Sequence, residues 1–245
     1  LTGKKKPLKA ALVIGADGRN SAIRELAYIP FKRKDYVESA VTCIFEHGLP
    51  HHDISYENHW PGGPATTVPL PGQTSSLVWV MPTQDVEDVI HFKKHEMEAV
   101  INHKIGNRLG EITLMTGLES FPLCTMRVER LTTHRVALMA EAAHGFSPIG
   151  AQGLNLSLRD ALVLRNTILS ARRNGLDIGS QNALIDYERQ MQGDIHPRTI
   201  AVDLLHRSVA APLPSPIHSL RREGMRLAGR SAILRRLIMR AGFAA

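Results

Sequence analysis

"ALMAEAAHGFSPIGAQGLNLSLRDAL", residues Ala137 to Leu162, joins an apolar run to an amphipathic segment through alanines, a proline and glycines. The run 135–139 predicts a buried strand, and the periodicity of 154–173 predicts a helix that ends at Gly175. A helix that starts just after a strand presents unpaired backbone N–H groups and the positive end of its dipole. The junction therefore suits an anion or a carbonyl-rich ring, although a tight strand-to-helix connection without a ligand explains the same pattern.

The side chains of this junction indicate what it could hold. Glu141 is an acceptor for the hydroxyl groups of a sugar or polyol. Gly150 and Gly153 allow another molecule to approach the backbone closely. Pro148 forms a rigid wall without a donor, and Asn155 adds an amide in the first helical turn.

Composition limits the classes of protein to which the chain can belong. Its 245 residues, 43% hydrophobic and 22% charged, predict one large or two small globular domains. The sequence contains no run of about 18 apolar residues, so no transmembrane helix is predicted. The apolar run near residue 10 is too short for a signal peptide. Cys43 and Cys124 fit a reducing compartment, with a single disulfide left open, so we expect cytoplasmic localisation.

Positive charge is concentrated at the C-terminus. The formal net charge is +7, and residues 216–245 hold seven arginines against one glutamate, Glu223. A solvated helix face and a peripheral contact with a membrane surface both fit this basic tail. Nucleic-acid binding is not expected, because no recognition fold or interleaved aromatic residue accompanies the charge.

Local patterns predict the remaining elements. Residues 8–14 form a near-continuous apolar run that is typical of a parallel strand covered on both faces, and Ser21 or Asn20 can cap a following helix. Residues 36–81 alternate β-prone runs with proline and glycine, which predicts an antiparallel sheet with hairpins. We also expect one helix over 83–105, a second over 180–196 that Pro197 ends or kinks, and a further helix from Thr199.

Two motifs, "GADGRNSAIR" at residues 15–24 and the opening stretch, together resemble the paired signatures of the FAD-dependent aromatic hydroxylases, the single-component flavoprotein monooxygenases. "GADGRNSAIR" resembles their DG motif, with Asp17, Gly18, Ser21 and Arg24 in place. The opening stretch resembles their GD motif, G-D-A-A-H-x-x-x-P-x-x-G-x-G-x-N, with Ala140-Glu141 for Gly-Asp and "GAQG" keeping glycine at both ends. The intervening "EHGLPHHDISYENHWPGGPATTVPLPGQTSSLVWV" is similar to the substrate-domain sheet of the ubiquinone-biosynthesis branch, which "YERQ" and "LRRLIMRAG" also fit.

The resemblance implies an α/β fold: an incomplete FAD-binding Rossmann-like domain interrupted by a β-sheet substrate domain, with C-terminal helices. Its segments are 1–34 with the DG motif, 35–128 as the β-rich substrate domain, 129–175 with the GD motif, and 176–245 as C-terminal helices with the basic tail. The chain contains no GxGxxG, the motif that cradles the FAD pyrophosphate in this family. The chain thus resembles the C-terminal part of such an enzyme.

The resemblance also implies a reaction. FAD, reduced by NAD(P)H, would hydroxylate a phenolic, polyprenyl-phenol-like small molecule in ubiquinone biosynthesis through a flavin hydroperoxide. In this family the acidic residue of the GD motif binds the ribityl chain, a role that falls to Glu141, and the loop from Pro148 to Asn155 lies along the isoalloxazine ring. The implied cofactor-binding residues are Asp17, Gly18, Arg24, Glu141, Pro148, Gly150, Ala151, Gln152, Gly153, Leu154 and Asn155.

Alternatives stay open at this point. A related flavoprotein reductase or halogenase carries the same motifs, and a truncated, non-catalytic chain could bind a partner or a membrane surface but no flavin. No catalytic acid or base is identified, the oligomeric state is open, and no G-x-S-x-G elbow supports a hydrolase. His144 is better explained by a structural hydrogen bond than as a base. The histidines at 47, 51, 52 and 59 follow no zinc spacing, so we expect no metal site, and Trp60 and Trp79 are expected to pack in the sheet.

Overall fold

A computed structural model describes residues 7–210, together with Ser231 and Arg236. Within them the chain forms two compact units, the first from 7–34 and 124–203 and the second from 35–123 and 204–210. The expected basic tail, 216–245, falls almost wholly outside the described residues. The segment boundaries and roles inferred from the family resemblance remain predictions.

The first unit is built on a short parallel strand pair. Strand β1 (Val13–Gly15) pairs in parallel with β9 (Val136–Leu138), and β8 (Thr132–Thr133) lies antiparallel on the other side of β9. Helix α1 (Ala22–Leu26) follows β1, and α4 (Gln152–Arg173) follows β9 after a 3₁₀ turn (Ala140–Ala142) and β10 (His144–Gly145). Residues of β9, α4 and the long helix α5 (Gln181–Ala210) form one apolar core that includes Leu138, Leu156 and Tyr187.

The second unit is an antiparallel sheet with helices. Strand β2 (Phe31–His47) enters it from the first unit and pairs with β5 (Thr74–Pro82), followed in order by β4 (Gly63–Leu70) and β3 (Tyr56–Trp60). Strand β6 (Ile112–Leu114) pairs with β2, and β7 (Glu119–Val128) returns to the first unit, where it pairs with β10. Helices α2 (Val86–Ile90) and α3 (Lys94–Lys104) cover a core that contains Phe45, Leu77 and Ile101. The predicted α/β class and antiparallel sheet are confirmed.

Three local predictions are wrong. The strand expected over 8–14 is reduced to Val13–Gly15, and Val13 and Ile14 are 39% and 42% exposed because β1 has a strand neighbour on one side only among the described residues. The helix expected over 83–105 is interrupted at 91–93, where Glu96 accepts a hydrogen bond from the Lys93 N–H and starts α3. Helix α5 continues through Pro197, so the proline does not end the helix and no separate helix begins at Thr199, whereas the alternative of a kink at Pro197 stays a prediction.

Parallel pairing brings two turns to one edge of the first unit. The carboxyl ends of β1 and β9 lie side by side, since Gly15 is opposite Leu138 and the Met139 N–H donates to Gly15 O at 2.9 Å. Glycine suits position 15, because a Cβ there would lie 2.6 Å from Leu138 Cδ2 and 3.0 Å from Ile23 Cγ2, so a larger residue would require the Leu138 side chain to shift. The turn after β1 and the turn after β9 are therefore neighbours.

Candidate functional site

The turn after β1 is held by its own aspartate. Asp17 Oδ1 accepts from Ser21 Oγ at 2.6 Å, and Oδ2 accepts from the Ile23 N–H at 3.1 Å. Ser21 Oγ in turn accepts from the Arg24 N–H and caps α1, as predicted. Burial alone would raise the pKa of Asp17, but the hydrogen bonds that its carboxylate accepts, from Ser21, Ile23 and further backbone N–H groups, together hold the pKa below its usual value. Asp17 thus shapes the turn with both carboxylate oxygens.

Arg24 joins the two turns. Its buried guanidinium donates through Nη1 to Ala142 O at 3.0 Å and through Nη2 to Arg19 O at 2.9 Å, and it lies 4.3 Å from the centre of the Phe31 ring. Burial lowers the pKa of Arg24, and the nearby Asp17 carboxylate partly opposes this shift. One side chain therefore fixes the backbone of both turns.

Glu141 points outward from the second turn. Its side chain is 53% exposed, and Oε1 accepts from Arg19 Nη2 at 3.1 Å, while no contact to Oε2 occurs in the described part of the chain. The pair is exposed, so it contributes little to stability. Arg19 was not predicted from the sequence, because its partner lies 122 residues away. The Glu141 carboxylate keeps one oxygen available for hydroxyl groups.

The N-terminus of α4 is uncapped. Gly150 has a φ of 92° and Ala151 a φ of 51°, and no side chain caps the helix that starts at Gln152. The N–H groups of Gln152, Gly153 and Leu154 precede the first intrahelical hydrogen bond, so they are free to donate to a ligand. A Cβ on Gly153 would meet nothing within 4 Å, so the backbone is open to close approach here. Pro148, Leu154 and Asn155 are exposed along the same loop.

Helix α5 supports this loop from behind, a role that the motifs did not reveal. The Gln152 amide donates to Gly150 O at 3.1 Å and accepts from Arg198 Nη1 at 2.9 Å. Arg198 Nε donates to Asp194 Oδ1 at 2.6 Å. The i,i+4 spacing of Asp194 and Arg198 was the available sequence signal, but nothing local linked it to Gln152.

Two alanines take the backbone conformation of glycine. The interpretation that "GAQG" keeps both the second and the third glycine of the GD pattern was wrong. Counted from Pro148, the second glycine of the pattern falls on Ala151 and the third on Gly153, so Gly150 occupies a variable position, and the first glycine falls on Ala140. Ala140 and Ala151 have φ values of 53° and 51°, in the left-handed region that favours glycine. At both positions the chain therefore adopts a backbone conformation that glycine tolerates better than alanine.

The groups at this edge fit FAD. An exposed carboxylate suits ribityl hydroxyl groups, and the free N–H groups of an uncapped helix suit the carbonyl edge of a flavin ring. Glu141, Gly153 and the turn at Gly18, where a Cβ would also meet nothing within 4 Å, leave room for a ligand. In contrast, the side chains of Asp17 and Arg24 form hydrogen bonds within the turns. These two residues would therefore affect a ligand through the shape of the turns and not by direct contact.

Two histidines of the second unit form hydrogen bonds within that unit. His47 contacts Leu49 O and Ser75 Oγ, and His51 contacts Leu70 O. In residues 7–210 no group of three or more histidine, cysteine or acidic side chains could hold a metal ion, and no helix has the length and apolar character to span a membrane. Cys43 and Cys124 are buried free thiols.

Comparisons with known proteins agree with this geometry. The chain is 34% identical over 233 residues to ubiquinone hydroxylase UbiL of Rhodospirillum rubrum, covering 95% of this chain and 54% of that protein. It is 28% identical to 3-demethoxyubiquinol 3-hydroxylase of Escherichia coli, covering 94% and 58%. The chain therefore spans about half the length of the curated relatives it matches.

A structural comparison and a family model complete the assignment. The fold is similar to that of OxyS anhydrotetracycline hydroxylase from Streptomyces rimosus, with a TM-score of 0.68 and 21% identity over 95% of this chain and 46% of that chain. A model of the family described as "FAD binding domain" matches residues 1–190. The strand–turn–helix geometry and this match lead to one conclusion: the chain belongs to the FAD binding domain family.

Proposed function

We propose that the first unit binds the ribityl chain and flavin ring of FAD and takes part in NAD(P)H-dependent hydroxylation of a phenolic ring in ubiquinone biosynthesis. The observation that carries the proposal is the convergence of two turns at the carboxyl ends of β1 and β9, beside the uncapped N-terminus of α4. The names of the relatives, two of which are a ubiquinone hydroxylase and a demethoxyubiquinol hydroxylase, support the substrate class.

In this proposal each residue of the site has a separate task. Glu141 accepts hydrogen bonds from the ribityl hydroxyl groups, and the N–H groups of Gln152 to Leu154 stabilise negative charge on the ring. Pro148 and Gly150 to Asn155 line the ring, whereas Asp17, Gly18 and Arg24 keep the neighbouring turn in place. The flavin, when bound, supplies oxygen transfer, and the protein supplies binding and orientation.

For the substrate we propose a cavity of about 740 Å³ within the second unit. Its walls combine apolar side chains with Glu38, Thr83 and Gln84. Glu38 Oε2 accepts from His206 Nε2 at 3.1 Å, and His206 stacks on Tyr36 with ring centres 3.7 Å apart. Oε1 has no hydrogen-bond or ion-pair partner among the described residues, so it can accept the hydroxyl hydrogen of a phenol, while the apolar walls suit a hydrocarbon substituent.

The first experiment measures flavin binding by the chain. Titration of FAD fluorescence with wild-type protein is expected to show saturable quenching, and Glu141→Ala is expected to weaken it at least tenfold. Glu129→Ala is the matched control, because the Glu129 side chain lies in the same unit and is 50% exposed, against 53% for Glu141. Equal affinity of both variants would contradict the assignment of Glu141, and absence of quenching by wild type would refute FAD binding by this chain.

The second experiment tests the reaction. Flavin-loaded protein is mixed with NAD(P)H, O₂ and polyprenyl phenols, and products are identified by mass spectrometry. A gain of one oxygen atom supports hydroxylation, whereas a reduced or halogenated product would assign the chain to a related flavoprotein. Glu38→Gln is expected to raise KM more than it lowers kcat, because the amide accepts a weaker hydrogen bond than a carboxylate.

A further inference from the structure

One buried carboxylate oxygen holds both ends of the turn that carries Glu141. Asp160 Oδ2 accepts from the Ala140 N–H at 2.7 Å and from His144 Nε2 at 2.6 Å. Asp160 is 0% exposed and His144 is 1% exposed. A single atom of α4 thus fixes the turn at its first residue and again four residues later.

Three residues of this turn form hydrogen bonds with buried side chains. Asp160 accepts from Ala140 and His144, and Arg24 donates to the carbonyl of Ala142. Glu141 lies between Ala140 and Ala142, and its side chain points outward. The hydrogen bond on the Ala140 N–H also secures a left-handed residue, which an L-amino acid adopts only at a cost. The direction of the Glu141 carboxylate therefore depends on these inner contacts.

Stability alone does not explain the pair. Asp160 Oδ1 and His144 Nδ1 are buried without a hydrogen-bond partner among the described residues. Buried polar atoms without partners are costly, and a well-packed apolar pair of similar size is often at least as stable. Burial first, and then the Asp160 carboxylate, raise the pKa of Tyr187. Its hydroxyl hydrogen is donated to Leu138 O at 2.7 Å, so Tyr187 does not donate a hydrogen bond to the His144–Asp160 pair. The pair is therefore better explained by what it positions.

We propose that Asp160 is a positioning residue for FAD, which acts through the Ala140 N–H and His144 to orient the Glu141 carboxylate. This inference rests on the proposed function, in which Glu141 binds the ribityl chain. Asp160 lies on the apolar face of α4, between Leu156 and Leu164, so it contacts the turn and not the exposed ligand side.

The first test removes the negative charge of the acceptor and keeps its shape. Asp160→Asn can place its amide oxygen at the position of Oδ2, but a neutral amide accepts weaker hydrogen bonds than a carboxylate. Its NH₂ group then lies at the position of Oδ1, which has no hydrogen-bond partner among the described residues. We expect FAD affinity, measured by fluorescence quenching, to fall at least tenfold. In ligand-free protein we expect faster amide hydrogen exchange in 139–145, measured by mass spectrometry. Thr167→Val is the matched control, because Thr167 is buried two turns further along the same helix, and it should alter neither readout by more than twofold.

Variants of His144 provide a rescue test that does not depend on Asp160→Asn folding. His144→Gln can place an amide donor near the position of Nε2, so its FAD affinity is expected to stay within threefold of wild type. His144→Ala removes the donor, and its affinity is expected to fall about tenfold. Equal loss in both variants would overturn the role of the His144–Asp160 hydrogen bond.

A double-mutant cycle with Glu141→Gln separates positioning from general damage. If Asp160 acts through Glu141, Asp160→Asn weakens FAD binding no more than threefold further when Glu141→Gln is already present. Full additivity would overturn the proposal, and so would unchanged hydrogen exchange at 139–145 in Asp160→Asn. Failure of wild-type protein to bind FAD would instead refute the proposed function, and the exchange experiment distinguishes this result by testing the turn without a ligand.

Discussion

Replacement of Ala140 by glycine should stabilise this protein. A left-handed φ costs an L-residue roughly 1–2 kcal/mol, which glycine avoids, and Ala140 has a φ of 53°. Glycine loses about 0.4–1 kcal/mol through the greater freedom of the unfolded chain. The difference predicts a gain of about 0.5–1 kcal/mol in the free energy of unfolding, or about 1–4 °C in Tm for a protein of this size.

Ala143 provides the control within the same turn. It has a φ of −101° and is 0% exposed, so Ala143→Gly relieves no strain and removes a buried methyl group. The backbone cost and the lost methyl burial together predict a decrease of about 1–2 kcal/mol. The two substitutions, three residues apart, are thus expected to have opposite signs.

Urea unfolding followed by far-UV circular dichroism measures both free energies under identical conditions. Ala151→Gly repeats the test at an exposed residue with a φ of 51°, where no buried methyl group complicates the result. If Ala140→Gly and Ala151→Gly both lower the free energy of unfolding, as Ala143→Gly is expected to do, the strain argument is wrong. In that event the preference of glycine for a left-handed φ would not affect the stability of the turn.

Three further predictions concern stability and reactivity. Asp17→Asn should lower the free energy of unfolding by about 1 kcal/mol at pH 7, because it weakens the hydrogen bonds from Ser21 and Ile23. Because the folded pKa of Asp17 is depressed, this difference should shrink as pH falls below 3.8, as measured by urea unfolding at pH 7 and pH 3. Burial raises the pKa of Cys43 to about 11 and Cys124 is buried too, so DTNB at pH 8 should label neither quickly until the protein unfolds. Pro197→Ala should raise the free energy of unfolding by about 1–3 kcal/mol, because it restores an N–H inside α5, and an unchanged thermal melt would contradict this account.

Local signals in the sequence were sufficient to predict the elements that carry the site. Apolar runs and capping residues located β9, α1 and α4, and Ser21 caps its helix as expected. The helix boundary expected at Pro197 was wrong because packing of α5 into the core outweighs one lost hydrogen bond and the proline's poor helix propensity. The strand at 8–14 was overestimated because an apolar run indicates burial without saying how many neighbours will provide it.

Contacts within the site were less predictable, because they join residues that are distant in sequence. Arg24 reaches Ala142 across 118 positions, and Arg19 reaches Glu141 across 122. Periodicity and caps carry no information about such pairs. One signal was nevertheless present: Asp160 is an acid on the apolar face of α4, and an acid in that position needs buried donors.

The departures from the GD motif differ in their physical consequence. Ala140 and Ala151 both adopt the left-handed backbone conformation. Alanine in place of glycine therefore raises the free energy of that conformation without changing the path of the backbone. Glutamate at 141 changes reach, because its additional methylene carries the carboxylate to Arg19 on the neighbouring turn. A bound ribityl chain would therefore meet a carboxylate that already has a cation beside it. Affinity for FAD should consequently depend on Arg19 as well as on Glu141. Fluorescence titration of Arg19→Ala and wild type at low and high salt would show which role the guanidinium has. It either competes with the ligand for the carboxylate or orients the carboxylate for the ligand.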